Sequence, residues 1–441
     1  MRLQQDAVMS TGIAARLRDF LSLEPKAPPG STPVRRSPGF DFSLTGVIYC
    51  FMMGFMGLAA IQGQANLLFG VFGVMIGILL VSGVICRTVI RRLTVTRILP
   101  DSAIVGRTAT ILYQFQNKKR YWPSLSVRLA ELDGVEAFTT QPAAYLLHAA
   151  AKMTATVPTE IVPKRRGICR LNEYQISTSF PFGFIRRARV NDAADMMVIY
   201  PAVGRVSPRL LTMCRSAEKV GASLKPQSGG QDEFYGVKQY RPGESQRSIY
   251  WRRSAKSPGF LVSKEMTQVA PPRLMLLVDT HIGEGAAGDL AAVERAIAMA
   301  GTLASHALER DMAVGICAWT GAHLKNEEAE FSRAAEPFDV LDVQRGKRQR
   351  RDVLSMLAHL PRNKTADAES LIQFSRPLIQ RGVTGILFTR RNLRLGLADE
   401  ARGSLLIICA DSRVADQWFS FDSTVDFAHC MPLDQLEAQS D

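Results

Sequence analysis

Three groups of residues in this chain have the types and spacing to do chemistry. The densest is Gly229–Met266, where Tyr240, Tyr250 and Trp251 are interleaved with Arg241, Arg247, Arg252, Arg253 and Lys256, and where Glu244 offers a carboxylate. Cations between aromatic rings can hold nucleic acid by charge and stacking, and an arginine cluster also fits an acidic protein surface. The same residues can instead be structural, with Arg241, Glu244 and Arg247 in an internal ion-pair network and the rings burying it against the C-terminal domain. The second group is Asp279-Thr280-His281-Ile282-Gly283, at the end of the apolar run Arg273–Val278. A strand-end carboxylate can act as acid or base, ligate a cation, or simply hydrogen-bond its loop. The third is the cysteines, seven in number and without a Cys-x-x-Cys pair. Their odd count and scatter point to a reducing compartment rather than to disulfides or zinc.

Other reaction types lack their motifs. The sequence contains no Gly-x-x-x-x-Gly-Lys-Ser/Thr, no Gly-x-Gly-x-x-Gly opening a helix, no His-Glu-x-x-His and no Gly-x-Ser-x-Gly.

The elements that must position these groups are legible in the hydropathy and charge patterns. The chain has 441 residues, a net charge of +13 and 46% hydrophobic residues. The charge is polarised: residues 266–441 sum to −5, which leaves +18 on the first 265. Between Asp41 and Arg87 there is no charged residue. A membrane span needs about 20 apolar residues, so this stretch divides into two predicted helices, Leu44–Ile61 and Asn66–Cys86, joined by a turn at Gln62–Ala65. Arg35 and Arg36 precede the pair and Arg87, Arg91, Arg92 and Arg97 follow it. The positive-inside rule therefore puts both ends in the cytoplasm. Gly70, Gly73 and Gly77 form a small-residue stripe suited to close packing within the hairpin. Before it, Ile13, Leu17, Phe20 and Leu21 have amphipathic helical spacing, and a Pro-rich linker covers Glu24–Phe40.

Residues 87–201 alternate in short runs, as in a small antiparallel β-sandwich. The stretch Phe180–Phe184 reads as a hydrophobic plug on that sheet. Within the connector 202–269, Ser245 is placed to cap a short helix reaching Ala255, which sets Arg247 and Trp251 on one face. Residues 270–441 change period to continuous apolar strands alternating with helices, the pattern of an α/β domain with a largely parallel sheet.

The signature segment carries a resemblance. It is similar to the signature of the bacterial membrane-protein family called domain of unknown function 58. Glu233, Phe234, Tyr240, Gly243, Arg247, Ile249, Trp251 and Ala255 match that pattern, while Lys238, Glu244 and Lys256 stand where Arg, Asp and Arg are expected. Arg241 and Pro242 complete its turn, and Arg252 lies within it. Arg97-x-x-Pro100, Arg166-Gly167, Pro181-Phe182-Gly183 and Tyr200-Pro201 extend the resemblance over most of the chain. It implies a C-terminal domain like that of von Willebrand factor A. It also implies a setting beside MoxR-type AAA+ ATPases and transglutaminase-like membrane proteins. The metal site of such domains needs Asp-x-Ser-x-Ser. Here Asp279 stands, but His281 and Gly283 replace the hydroxyls, a degenerate site from which no metal or other cofactor is expected.

The expectation is a multidomain inner-membrane protein. Residues 1–43 are amphipathic helix and linker, 44–86 a transmembrane hairpin, 87–201 a β-sandwich, 202–269 the connector, and 270–441 the α/β domain. Its expected role is that of a membrane-anchored, non-catalytic adaptor or scaffold working with a MoxR-type AAA+ ATPase or envelope-assembly partners. An enzyme using Asp279 or Glu244 on an envelope precursor is the first alternative; nucleic-acid binding through Arg252, Arg253 and Lys256 is the second, disfavoured because the charge tracks the membrane segment.

Overall fold

The computed structural model describes residues 39–63, 66–217, 228–256, 259–267, 272–282, 287–320, 338–361, 368–379, 383–390 and 405–427. The expected N-terminal amphipathic helix and most of the Pro-rich linker lie outside them.

Two helices, α1 (Leu44–Gly63) and α2 (Asn66–Ile90), have mean hydropathies of 1.9 and 2.6 and are long and apolar enough to cross a membrane. Their apolar side chains face outward: Phe51, Leu58, Leu67 and Val84 are each more than half exposed. A helical hairpin that served as a soluble core would bury those residues. The glycine stripe does not close the hairpin, because Gly70, Gly73 and Gly77 have no side chain or backbone against them. Gly57 does that instead, under the Phe72 ring, and the Tyr49 hydroxyl donates to the Met75 carbonyl at 3.0 Å.

The strands β1 (Phe40–Phe42), β2 (Leu93–Ile98), β3 (Ser102–Ile104), β4 (Ala109–Asn117), β5 (Ser124–Glu131), β6 (Ala143–Ala149), β7 (Thr154–Ile161), β8 (Gly167–Thr178) and β9 (Ile185–Tyr200) form two sheets. One runs β1-β9-β8-β5-β6 with β3 parallel to β9; the other is β2-β4-β7. In β2 buried and exposed residues alternate strictly, so Leu93, Val95 and Arg97 face inward. Ile111, Tyr113, Phe115, Leu129, Leu171 and Ile176 fill the space between.

Charged groups sit in this core. Arg97 reaches Glu131 at 3.0 Å, and the Tyr113 hydroxyl donates to the other Glu131 oxygen at 2.9 Å. The Leu171 and Ala193 carbonyls accept from the same guanidinium, and Tyr174 lies under it. Burial nevertheless pushes the Glu131 carboxyl up to about 7.

The connector contains β10 (Arg205–Val206), α3 (Pro208–Ala217), β11 (Ser228–Gln239), α4 (Trp251–Ser254) and β12 (Val262–Thr267). The last unit contains β13 (Arg273–Val278), α5 (Ala287–Glu309), β14 (Ala313–Trp319), β15 (Phe338–Gln344), α6 (Lys347–His359), α7 (Ala368–Ile379), β16 (Thr384–Thr389), β17 (Leu405–Cys409), α8 (Arg413–Trp418) and β18 (Phe419–Ser420). Its sheet order is β15-β14-β13-β16-β17, parallel except for the β15 edge. Both faces are covered. Leu274, Leu276 and Val278 of β13 pack under α5 and α6, and Met275 and Leu277 pack under α7. That is why β13 reads as unbroken apolar sequence.

Among the described residues, two sets of contacts stand out between the sandwich with its connector and the α/β unit. β10 pairs with β18, and Phe421, Val425 and Phe427 pack on the sandwich core. The other join is Arg166, which is buried. It binds both carboxylate oxygens of Glu294 on α5, at 2.7 and 3.1 Å, and donates to the carbonyls of Leu357, Ala358 and Leu360. Those carbonyls end α6, where a helix leaves acceptors unpaired and favours a cation.

Candidate functional site

The signature folds as a hairpin with a cap. β11 and β12 pair antiparallel, with Glu233 opposite Thr267 and Phe234 opposite Met266 along the backbone. Tyr240 N–H donates to the Leu261 carbonyl, and the Arg241-Pro242-Gly243-Glu244 turn closes with Glu244 N–H on Arg241 O at 3.1 Å. Gly243 has φ +104°, a conformation that favours glycine. The Tyr240 hydroxyl donates to Glu244 O at 2.9 Å and fixes the turn.

The expected Arg241–Glu244–Arg247 network is not formed. Glu244 pairs instead with Lys238 at 3.0 Å and accepts from Ser263. The hydrogen bond from Lys238 holds its carboxyl below the usual carboxylate range. The expected single helix also breaks. Residues Gln246–Ser248 form one 3₁₀ turn, Ser245 gives no side-chain cap, and Ile249 turns in to bridge Ser263 before α4 begins. Arg247 and Trp251 therefore do not share a helix. The backbone wins here because Tyr250 N–H bonds to Val262 O at 2.7 Å, which pins the segment to β12.

The outward-facing residues are consistent in type. Arg241, Arg247, Arg252, Arg253 and Lys256 are exposed. Trp251 is 63% exposed, and Phe260 and Leu261 of the same hairpin are also exposed. The elements of the hairpin pack chiefly on one another. The face can hold a partner by charge and apolar contact. Among the described residues it brings no acid, base and nucleophile together.

Asp279 stands at the C-terminal end of β13, where the strand order reverses, the usual ligand position of open α/β sheets. Its Oδ1 accepts from His281 N–H and its Oδ2 from the Thr389 hydroxyl of β16, each at 2.9 Å. Burial raises its pKa, opposed by those two hydrogen bonds. Among the described residues the buried Thr280 hydroxyl and His281 Nδ1 find no partner. Gly283 lies outside the described residues, and no group of three or more His, Cys, Asp and Glu among the described ones is placed to hold a metal.

Among the described residues, no cavity that holds both Asp279 and Glu244 is seen. The cavity described between the sandwich and α5 is lined by Val105, Arg166, Ala202, Glu294 and Phe427 and includes neither. Sequence reasoning missed the roles of two buried, heavily bonded cations, Arg166 and Lys119. Arg166 is visible in the sequence as half of the Arg166-Gly167 pair, and its acceptors are far away in sequence.

Lys119 is the second case. It is buried, and its Nζ donates to the carbonyls of Thr88 and Val89 at 3.0 and 2.6 Å and to Ser124 at 2.8 Å. It caps the end of α2 and ties it to β5. The Phe180–Phe184 stretch makes the matching contact on the other side. Its carbonyls receive Cys86 Sγ and Ser43 N–H, and the Phe184 ring stacks on Tyr49 at 4.2 Å. The expected plug packs on the apolar hairpin as well as on the sheet.

No family model and no curated protein matches the sequence.

Proposed function

We propose that this chain is a membrane-anchored, non-catalytic adaptor, and that its signature hairpin docks an acidic surface of a MoxR-type AAA+ ATPase. In this reading α1 and α2 span the bacterial inner membrane with both soluble ends cytoplasmic. The α/β unit is a von Willebrand factor A-like domain, and the chain is a member of the domain of unknown function 58 family. The arginine-flanked hairpin supports the topology, and the β15-β14-β13-β16-β17 order with one antiparallel edge supports the domain type. A transglutaminase-like membrane protein is the second partner that the resemblance supplies.

The observation that carries the proposal is the outward set of Arg252, Arg253 and Lys256 around the exposed Trp251. Exposed aromatic and arginine side chains are typical anchors of protein interfaces. The test is affinity capture of the full chain from native membranes. Wild type should recover the ATPase, and W251A combined with R252E and R253E should lose it. Equal recovery by both chains, or no ATPase with wild type, overturns the proposal.

A further inference from the structure

The rim of the sandwich beside α2 carries a surface that the adaptor reading does not use. The loop 117–122 is rigidly built: the Asn117 side-chain amide donates to the carbonyls of Trp122, Ala149 and Ala150, and its oxygen accepts from Lys119 N–H. This braces the loop against the 150–153 turn. Tyr121 is 74% exposed, Trp122 56% and Met153 60%. Lys118, Arg120 and Lys152 are exposed beside them, as are Arg87, Arg91 and Arg92 at the end of α2. None of these six cations is ion-paired among the described residues. Arg120 lies over the Tyr121 ring at 5.1 Å.

Depth decides what meets this surface. The charge-free run ends at Cys86, and Lys119 grips Thr88 and Val89. At 1.5 Å per residue those carbonyls lie roughly 3–5 Å past the apolar boundary. The headgroup layer is about 5–8 Å thick on each side. Across the hairpin, Phe184 O accepts from Ser43 N–H, two residues past Asp41, and the Phe184 ring stacks on Phe182, which is 51% exposed. Two aromatic loops of one sandwich thus stand at the level of the bilayer surface. Tyr and Trp favour that layer, and Lys and Arg there attract anionic lipid.

We infer that the sandwich is seated on the bilayer, with Tyr121, Trp122 and Phe182 in the interfacial layer and Lys118, Arg120 and Lys152 binding phosphates of anionic phospholipids. The inference rests on the reading that α1 and α2 cross the membrane. The test uses the full chain in vesicles of phosphatidylcholine with and without phosphatidylglycerol. With Trp251, Trp319 and Trp418 each replaced by Phe, the emission of Trp122 should be lost to lipids brominated high on the acyl chain and shielded from iodide. A chain retaining only Trp251 should show the reverse. K118Q and R120Q should lower phosphatidylglycerol enrichment around the protein roughly fivefold per cation. Tyr121→Cys carrying bimane, read against the bimane-treated wild-type chain as the blank for its seven native cysteines, gives the same depth reading in a chain with all its tryptophans. If Trp122 is as open to iodide as Trp251 while the chain resists alkaline carbonate, the lipid surface is refuted and the spans stand. Release by carbonate overturns both.

Discussion

Arg166 shows what a single side chain can hold. Its guanidinium leaves the sandwich and finds a carboxylate and a helix end in the next unit, with every acceptor buried. A buried pair adds little over a well-packed apolar pair, but removing one partner strands a charge, at a cost of about 3–5 kcal/mol. R166M should lower the unfolding free energy by about that much in denaturant titration of the detergent-solubilised chain. Adding E294L should recover part of the loss, because no orphan carboxylate remains. A double variant as unstable as the single would shift the credit to the α6 carbonyls.

At the scale of elements, the apolar hairpin is fixed to the sandwich from both sides. Gly46 touches the Phe184 backbone so closely that a Cβ would collide with its carbonyl oxygen, and Lys119 caps α2. Burial lowers the Lys119 pKa from 10.5 to about 8. The folded chain thus holds fewer protons than the unfolded one between those values, and stability should rise as pH climbs through that window. The cost relieved is of order 3 kcal/mol. K119M should abolish the rise, read as unfolding free energy against pH.

The same scale separates what sequence reveals from what it hides. Strands buried on both faces, such as Ala313–Trp319, announce themselves by unbroken apolar residues. Ala143–Ala149 escapes notice because Ala and Leu favour helix, and only its pairing with β5 makes it a strand. The first part of Ile185–Tyr200 escapes because Arg186, Arg187 and Asp192 lie on its half-exposed length. β15 is an edge strand carrying Asp339 and Asp342. In the signature, the turn and both strands follow from Pro242, Gly243 and the apolar runs. The Lys238–Glu244 pair and the broken helix do not, because both depend on contacts across the hairpin. Asp279 was legible as a strand-end residue; its tie to Thr389 needs a neighbouring strand more than a hundred positions on.

In the whole molecule, the signature hairpin is an outgrowth on a body made of sandwich and α/β unit. Its strands, 3₁₀ turn and short helix pack chiefly on themselves. Replacing residues 228–267 with a Gly-Ser linker should leave the thermal midpoint of the remainder in place while removing partner capture. A collapse of the midpoint would make the hairpin part of the core. The exposed Trp251 and the ion-paired Glu244 argue for the first outcome.

The return of the chain to its beginning has a consequence for synthesis. The sandwich receives Phe421 and Phe427, and β10 waits for β18. A ribosome delivers the apolar hairpin first and those residues last. Arg166 lacks Glu294 until a further 128 positions have been made, and the pocket for Phe427 stays open for longer still. The apolar hairpin is therefore complete long before the molecule can close, and the surfaces that later join its two halves are the ones a chaperone or a protease meets first.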